Sequence, residues 1–191
     1  MKQTYIEDAT FTGINFQKTT FAKGEYENCS FVSCGFSNTD LSEVAFAECK
    51  FTGCNLSLAK LTKTAIRDCK FKECKMLGLH FDDCNQFGIA FSFTNCNLSH
   101  ASFFKTKIKN TLFKNTQLHK TDFTECDLTS SVLDNCDLTG ATFDNSNIEK
   151  TDFRTSFNYS IDPEINRIKK AKFSVPEVLG LLNKYDIVIE K

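Results

Sequence analysis

Large apolar residues recur every five positions along most of this chain. From Ile6 the steps reach Phe11, Phe16, Phe21, Tyr26, Phe31 and Phe36, and they continue without a miss to Phe81. The next step meets Gln86 and the one after it Phe91. A second register, displaced by two residues, then runs from Phe93 through Leu98, Phe103 and Ile108 to Phe153. Of the 20 phenylalanines, 17 fall on these registers, counting Phe173, so the repeat accounts for an otherwise odd composition.

Period five suits neither standard element. Five residues advance a helix by about 500°, which scatters the apolar set over every face. In a flat strand an odd step changes sides each time. The pattern is coherent if the chain turns a corner every five residues, so that each apolar centre points into one shared interior.

The position two before each centre is mostly small, as at Ala9, Thr19, Gly24, Ser131, Ala141 and Thr151. All ten cysteines occupy it: 29, 34, 49, 54, 69, 74, 84, 96, 126 and 136. Like residues recur at intervals of twenty, in Phe11, Phe31, Phe51, Phe71 and Phe91, in Cys29, Cys49 and Cys69, and in Cys34, Cys54 and Cys74. Four corners therefore make one circuit, and like residues stack on like as in other solenoids.

Segments such as Thr39-Asp40-Leu41-Ser42, Cys54-Asn55-Leu56-Ser57, Cys126-Asp127-Leu128-Thr129 and Cys136-Asp137-Leu138-Thr139 resemble the A(D/N)LXX motif of pentapeptide-repeat proteins. The resemblance covers roughly residues 4–175. It implies an all-β chain folded as a right-handed quadrilateral parallel β-helix, with roughly seven to eight coils spaced by about 4.8 Å.

The repeat domain is expected over residues 1–175, with the register slip at 82–92 as a bulge or short loop that displaces Phe87. Residues 176–191 are expected to add a short C-terminal α-helix and a tail. Ser174-Val175-Pro176-Glu177 reads as a helix start, and Tyr185-Asp186-Ile187-Val188-Ile189 as a short strand or extended tail. A solenoid must cover its open end. Val178, Leu179, Leu181, Leu182 and Ile187 are the candidate cap and dimer contacts, and a homodimer through this segment is the expected assembly.

The chain carries 23 Lys+Arg against 24 Asp+Glu. That balance gives no global reason to bind nucleic acid or an anionic membrane, and no apolar run is long enough to span a bilayer. Cys69, Cys74, His80 and Cys84 superficially resemble a metal-ligand set, but Cys69 and Cys74 belong to adjacent sides and His80 should face outward. Each cysteine stands where Ala, Thr and Ser also serve, so the expected role is a small, buried, reduced side chain, with the cytoplasm as the compartment. His80, His100 and His119 fall at outward phases, and no nucleophile motif or phosphate-binding glycine loop is present. The expectation is a non-enzyme with no catalytic residue, cofactor or metal.

Charge is nevertheless banded. Lys105, Lys107, Lys109, Lys114 and Lys120 are followed by Asp122, Glu125, Asp127, Asp134, Asp137, Asp144, Glu149 and Asp152. One circuit apart, Lys105 should sit over Glu125, Lys107 over Asp127 and Lys114 over Asp134. The family resemblance, with the Qnr-type quinolone-resistance group among its members, implies a DNA-like rod that binds DNA gyrase or topoisomerase IV. On that reading Asp122, Glu125, Asp127, Asp134, Asp137 and Asp144, with Gln86 and Phe87 of the slip, are the candidate partner-binding residues. The alternative is a rigid scaffold for another macromolecule.

Overall fold

The computed structural model describes residues 4–185 together with 187, 188 and 190. The corners come first, because they make the rest possible. Twenty-eight described residues have positive φ, 23 of them not glycine, and nearly all stand two after a centre: Asn28, Ser33, Asn38, Glu43 and Glu48 are five in a row. The left-handed region costs an L-residue about 1–2 kcal/mol. Here the bent backbone lets the same residue donate its N–H to the adjacent coil, as Asn28 does to Ala47 O at 2.9 Å and Asn38 to Ser57 O at 3.0 Å. Asn95, Asn115 and Asn135 also link their side-chain amides into a ladder up one corner, at 3.0 and 2.9 Å.

Between corners lie four faces. The first begins with strands Thr4–Glu7, Gly24–Glu27, Ala45–Ala47 and Ala65–Arg67. The second is a seven-stranded sheet from Thr10–Thr12 to Val132–Asp134. All the pairings are parallel, and before the slip the register steps by twenty, as in Phe31 beside Phe51. The third and fourth faces are held by isolated parallel bridges, such as Asn55 to Lys75 and Ser102 to Asp122. The molecule is thus the parallel β-solenoid that the periodicity implied.

The interior is filled by the centres. On the second face the rings of Phe11, Phe31, Phe51 and Phe71 stack 4.8–4.9 Å apart, and on the fourth Phe81, Phe103, Phe123 and Phe143 stack at 4.6–5.2 Å. The spacing is that of parallel strands, so each ring meets its neighbour at van der Waals contact and face on. Phe31, Phe51, Phe93, Phe103 and Phe123 are essentially inaccessible to solvent.

The small position has a job beyond fitting. Thr64, Thr121, Thr151 and Ser156 donate their hydroxyls to the centre carbonyl of the preceding coil, 23 residues back, at 2.7–3.1 Å. The thiols of Cys54, Cys74 and Cys136 occupy the same geometry at 3.3–3.4 Å. All ten cysteines are buried and free.

One expectation fails. Among the described residues no α-helix forms at the C-terminal end; Val178–Leu181 and Asn183–Tyr185 are separate 3-10 turns. Gly180 explains why. Its backbone lies so close to Tyr159 that an added Cβ would come within 2.2 Å of the Tyr159 carbonyl oxygen, and its own carbonyl accepts from Ile161 N–H at 3.0 Å. Docking onto the last coil wins over the weak intrinsic helicity of a short, glycine-broken segment. Lys184 completes the seat with ion pairs to Asp162 at 2.7 Å and Glu164 at 2.6 Å. Of the segment expected as a short strand or extended tail, Ile187 and Val188 are not in a strand, while Asp186 and Ile189 lie outside the described residues.

Candidate functional surface

A filled interior leaves only outward positions to meet a partner. The candidate acids do not gather into one stripe. Asp122 and Asp144 share the fourth face, with Glu125 at its corner; Asp127 is on the first face, Asp134 on the second and Asp137 on the third. Most are engaged by the preceding coil. Lys105 reaches Glu125 at 3.5 Å and Lys114 reaches Asp134 at 3.3 Å, as their spacing implied. Lys107 is in register with Asp127, but the ion pair to Asp127 comes from Lys109, at 3.1 Å. The side chain one position past the centre reaches across to its neighbour's carboxylate, a choice that twenty-residue spacing cannot anticipate.

Several of these carboxylates also serve the backbone. Asp122, Asp127 and Asp137 each accept the N–H two residues on, from Thr124, Thr129 and Thr139, at 2.8–3.1 Å. This is the physical content of the Asp-Leu-Thr segments: the side chain closes a local turn before each corner. Asp137 is the most heavily bonded. Partial burial acts to raise its carboxyl, but hydrogen bonds from Asn158, Thr139 and His119 together hold it at about 2. His119 Nε2 lies 2.8 Å from Asp137 Oδ2.

The slip takes a definite form. A 3-10 turn at Phe81–Asp83 leads into Asn85, which still bridges Ala65 on the first face. Gln86 stands at a centre phase but points outward, its Nε2 donating to the carbonyls of Phe81 and Cys84 at 3.0 Å each. Phe87 follows at the tip and is 80% exposed. Gly88 takes positive φ, Ile89 returns to the core, and Ala90 N–H donates to Ile66 O at 3.0 Å. Phe91 enters the interior beside Phe81, and Phe93 resumes the second-face column over Phe71. The displaced Phe87 is as expected, and Phe91 turns inward as its register implied, but it stands beside Cys69 and Phe93 takes the place over Phe71 that the twenty-residue column gave to Phe91; the inward turn of Ile89 had no signal in the spacing.

At the C-terminal end Leu181 packs against the core and Leu182 is half-buried. Val178, Leu179 and Ile187 remain exposed. Burial pushes the thiols of Cys126 and Cys136 up to about 12. Among the described residues no group of three His, Cys, Asp or Glu side chains is placed to hold a metal ion, and none of the helices is long and apolar enough to cross a membrane.

A family model for the pentapeptide repeat region matches residues 24–92 and 89–157. The chain belongs to the pentapeptide-repeat family. Among solved structures, trypsin-treated QnrB1, a plasmid-mediated fluoroquinolone resistance protein, is 20% identical and superposes with a TM-score of 0.53 over 96% of this chain and 99% of that one. HetL, a pentapeptide repeat protein involved in heterocyst differentiation regulation from the cyanobacterium Nostoc, is 11% identical with a TM-score of 0.36, covering 87% and 86%. The likeness to QnrB1 extends to the fold. No curated protein matches the sequence.

Proposed function

We propose that this protein is a non-enzymatic scaffold whose outer surface binds another protein. The observation that supports the reading is the solid interior. Stacked aromatic centres and hydroxyl- or thiol-bonded small positions fill it, so chemistry is left to the outward residues of a stiff rod. A rod of this kind presents residues at fixed intervals of about 4.8 Å along each face, which suits a long, flat protein contact.

A bacterial type II topoisomerase, DNA gyrase or topoisomerase IV, is the partner to test first, with quinolone protection as the possible consequence. The fold likeness to QnrB1 motivates it. Asp122, Glu125 and Asp144 on and beside the fourth face, with Gln86 and Phe87 at the bulge, are the proposed contacts. The scatter of Asp127, Asp134 and Asp137 over three faces, and the pairing of Glu125, Asp127 and Asp134 with lysines, favours the second reading of a scaffold for a different protein. The exposed apolar set at the C-terminal end, Val178, Leu179 and Ile187, is the proposed seat for end-to-end pairing of two rods.

Two measurements separate these readings. Gyrase supercoiling is assayed with and without the protein, in the presence and absence of a quinolone; inhibition or protection at micromolar protein supports the topoisomerase reading, and neither effect overturns it. Affinity capture from a bacterial lysate then either returns gyrase subunits or returns another protein.

A further inference from the structure

The first face carries a charge pattern that the sequence order conceals. Nine successive passes of the chain cross this face, containing Tyr5, Glu25, Ala45, Ala65, Asn85, Lys107, Asp127, Asn147 and Arg167. The first four passes, each with the corner that ends it, contribute Glu7, Asp8, Glu25, Glu27, Glu48 and Asp68 against Arg67, and the corners that open the third and fourth add Glu43 and Lys63. The last four contribute Lys107, Lys109, Lys150, Arg167, Lys169 and Lys170 against Asp127 and Glu149. One half of the face is therefore acidic and the other basic. The fifth, middle pass is the bulge, with Phe87 projecting at its tip.

We infer that the first face is a self-complementary surface that pairs antiparallel with a second copy of this chain, about a two-fold axis through the Phe87 bulge. A two-fold contact uses the same patch on both copies. An axis at the middle pass brings the acidic half of each rod onto the basic half of the other, with Glu7 and Asp8 opposite Arg167, Lys169 and Lys170 of the second copy. In this register the attraction is concentrated at the two ends, since nearer the axis Glu48 meets the Asp127 pass and Arg67 meets Lys107 and Lys109, whereas parallel pairing would set the acidic ends of both rods together. Between the charged ends Ala45 and Ala47 present only small side chains outward, while Ala65, next to the bulge, is buried. The two Phe87 rings meet at the centre, where an aromatic anchor contributes most because it is desolvated. Eight steps of about 4.8 Å make the face about 38 Å long. At about 15 Å wide it offers about 600 Å² per copy, or roughly 1,200 Å² in all, the lower bound for a specific interface.

This inference does not rest on the topoisomerase reading, and it is distinct from pairing through the C-terminal end. A charge-swap experiment on the full chain tests it by sedimentation equilibrium. Variant one carries Glu7→Lys, Asp8→Lys and Glu48→Lys; variant two carries Lys150→Glu, Lys169→Glu and Lys170→Glu. All six positions are exposed. The expected results are a wild-type dimer that weakens with salt, self-association at least about tenfold weaker in each variant alone, and recovery when the two are mixed. Phe87→Cys should cross-link to its own kind under mild oxidation. A monomeric wild-type chain, or a dimer that survives both sets of reversals, overturns the inference. So does a dimer that falls apart on Leu179→Asp while the charge variants still pair, which would locate the contact at the rod end.

Discussion

The rings of Phe71 and Phe93 stack 5.4 Å apart, near parallel, although 22 residues rather than 20 separate them. The two additional residues are absorbed on the first face, at the bulge, and the second-face sheet runs through with Cys69 beside Phe91 and Lys72 beside Thr94. The interior column is conserved along the rod because a gap in a ring stack is costly, whereas an outward loop meets only water.

Truncating a ring in that column should be severe. Phe51→Ala opens a cavity between Phe31 and Phe71 and is expected to cost about 3–5 kcal/mol. Lys63→Ala, at an exposed corner, should change stability by less than about 1 kcal/mol. Urea melts of the two variants check the pair; equal losses would contradict the assignment of inside and outside.

The cysteines should behave as structural hydroxyl substitutes. Cys54→Ser keeps a donor toward Phe31 O and is expected to cost less than about 1.5 kcal/mol, whereas Cys54→Leu overpacks and should cost about 1–3 kcal/mol. Thiol reagents should leave the folded protein unlabelled and modify it on denaturation, since these thiols are buried and those of Cys126 and Cys136 are pushed up to about 12. Rapid labelling of the native chain would refute this.

Asp137 should contribute to the acid limb of stability. Its folded value, about 2, lies below the ordinary carboxylate value of about 3.9 for an unfolded chain. Its stabilising contribution is complete above the unfolded value and is lost as pH falls through the folded one, between about pH 4 and pH 2. Asp137→Asn should flatten the fall in melting temperature across that window. A wild-type-like acid limb would place the effect elsewhere.

Gly180→Ala should loosen the cap. The added Cβ has no room beside the Tyr159 carbonyl, so the tail must shift. The expected signs are faster amide exchange at Ile161, whose N–H is bonded to Gly180, and earlier proteolysis after residue 175. Unchanged exchange at Ile161 would show that the tail does not hold that coil.

The five-residue period carried the architecture because it is a covalent property. A corner every five residues, with a large centre and a small neighbour two before it, places Phe31, Phe51, Cys54 and Thr121 inside whatever the rest of the chain does. Register at intervals of twenty followed, and with it the lysine–carboxylate partners of Glu125 and Asp134. Other features needed three dimensions. The C-terminal helix gave way to 3-10 turns because Gly180 packs on Tyr159, a contact between segments twenty-one residues apart. Lys109 took Asp127 from Lys107 because side-chain reach, not register, selects the partner. Gln86 turned out and Phe93, not Phe91, took the place over Phe71 because a solenoid fills its interior before it keeps its count. The opposed charges of the first face became visible only when residues spread over the whole chain were stacked on one side. Local spacing decides which way a side chain points; only the stacked coils decide what it stands beside.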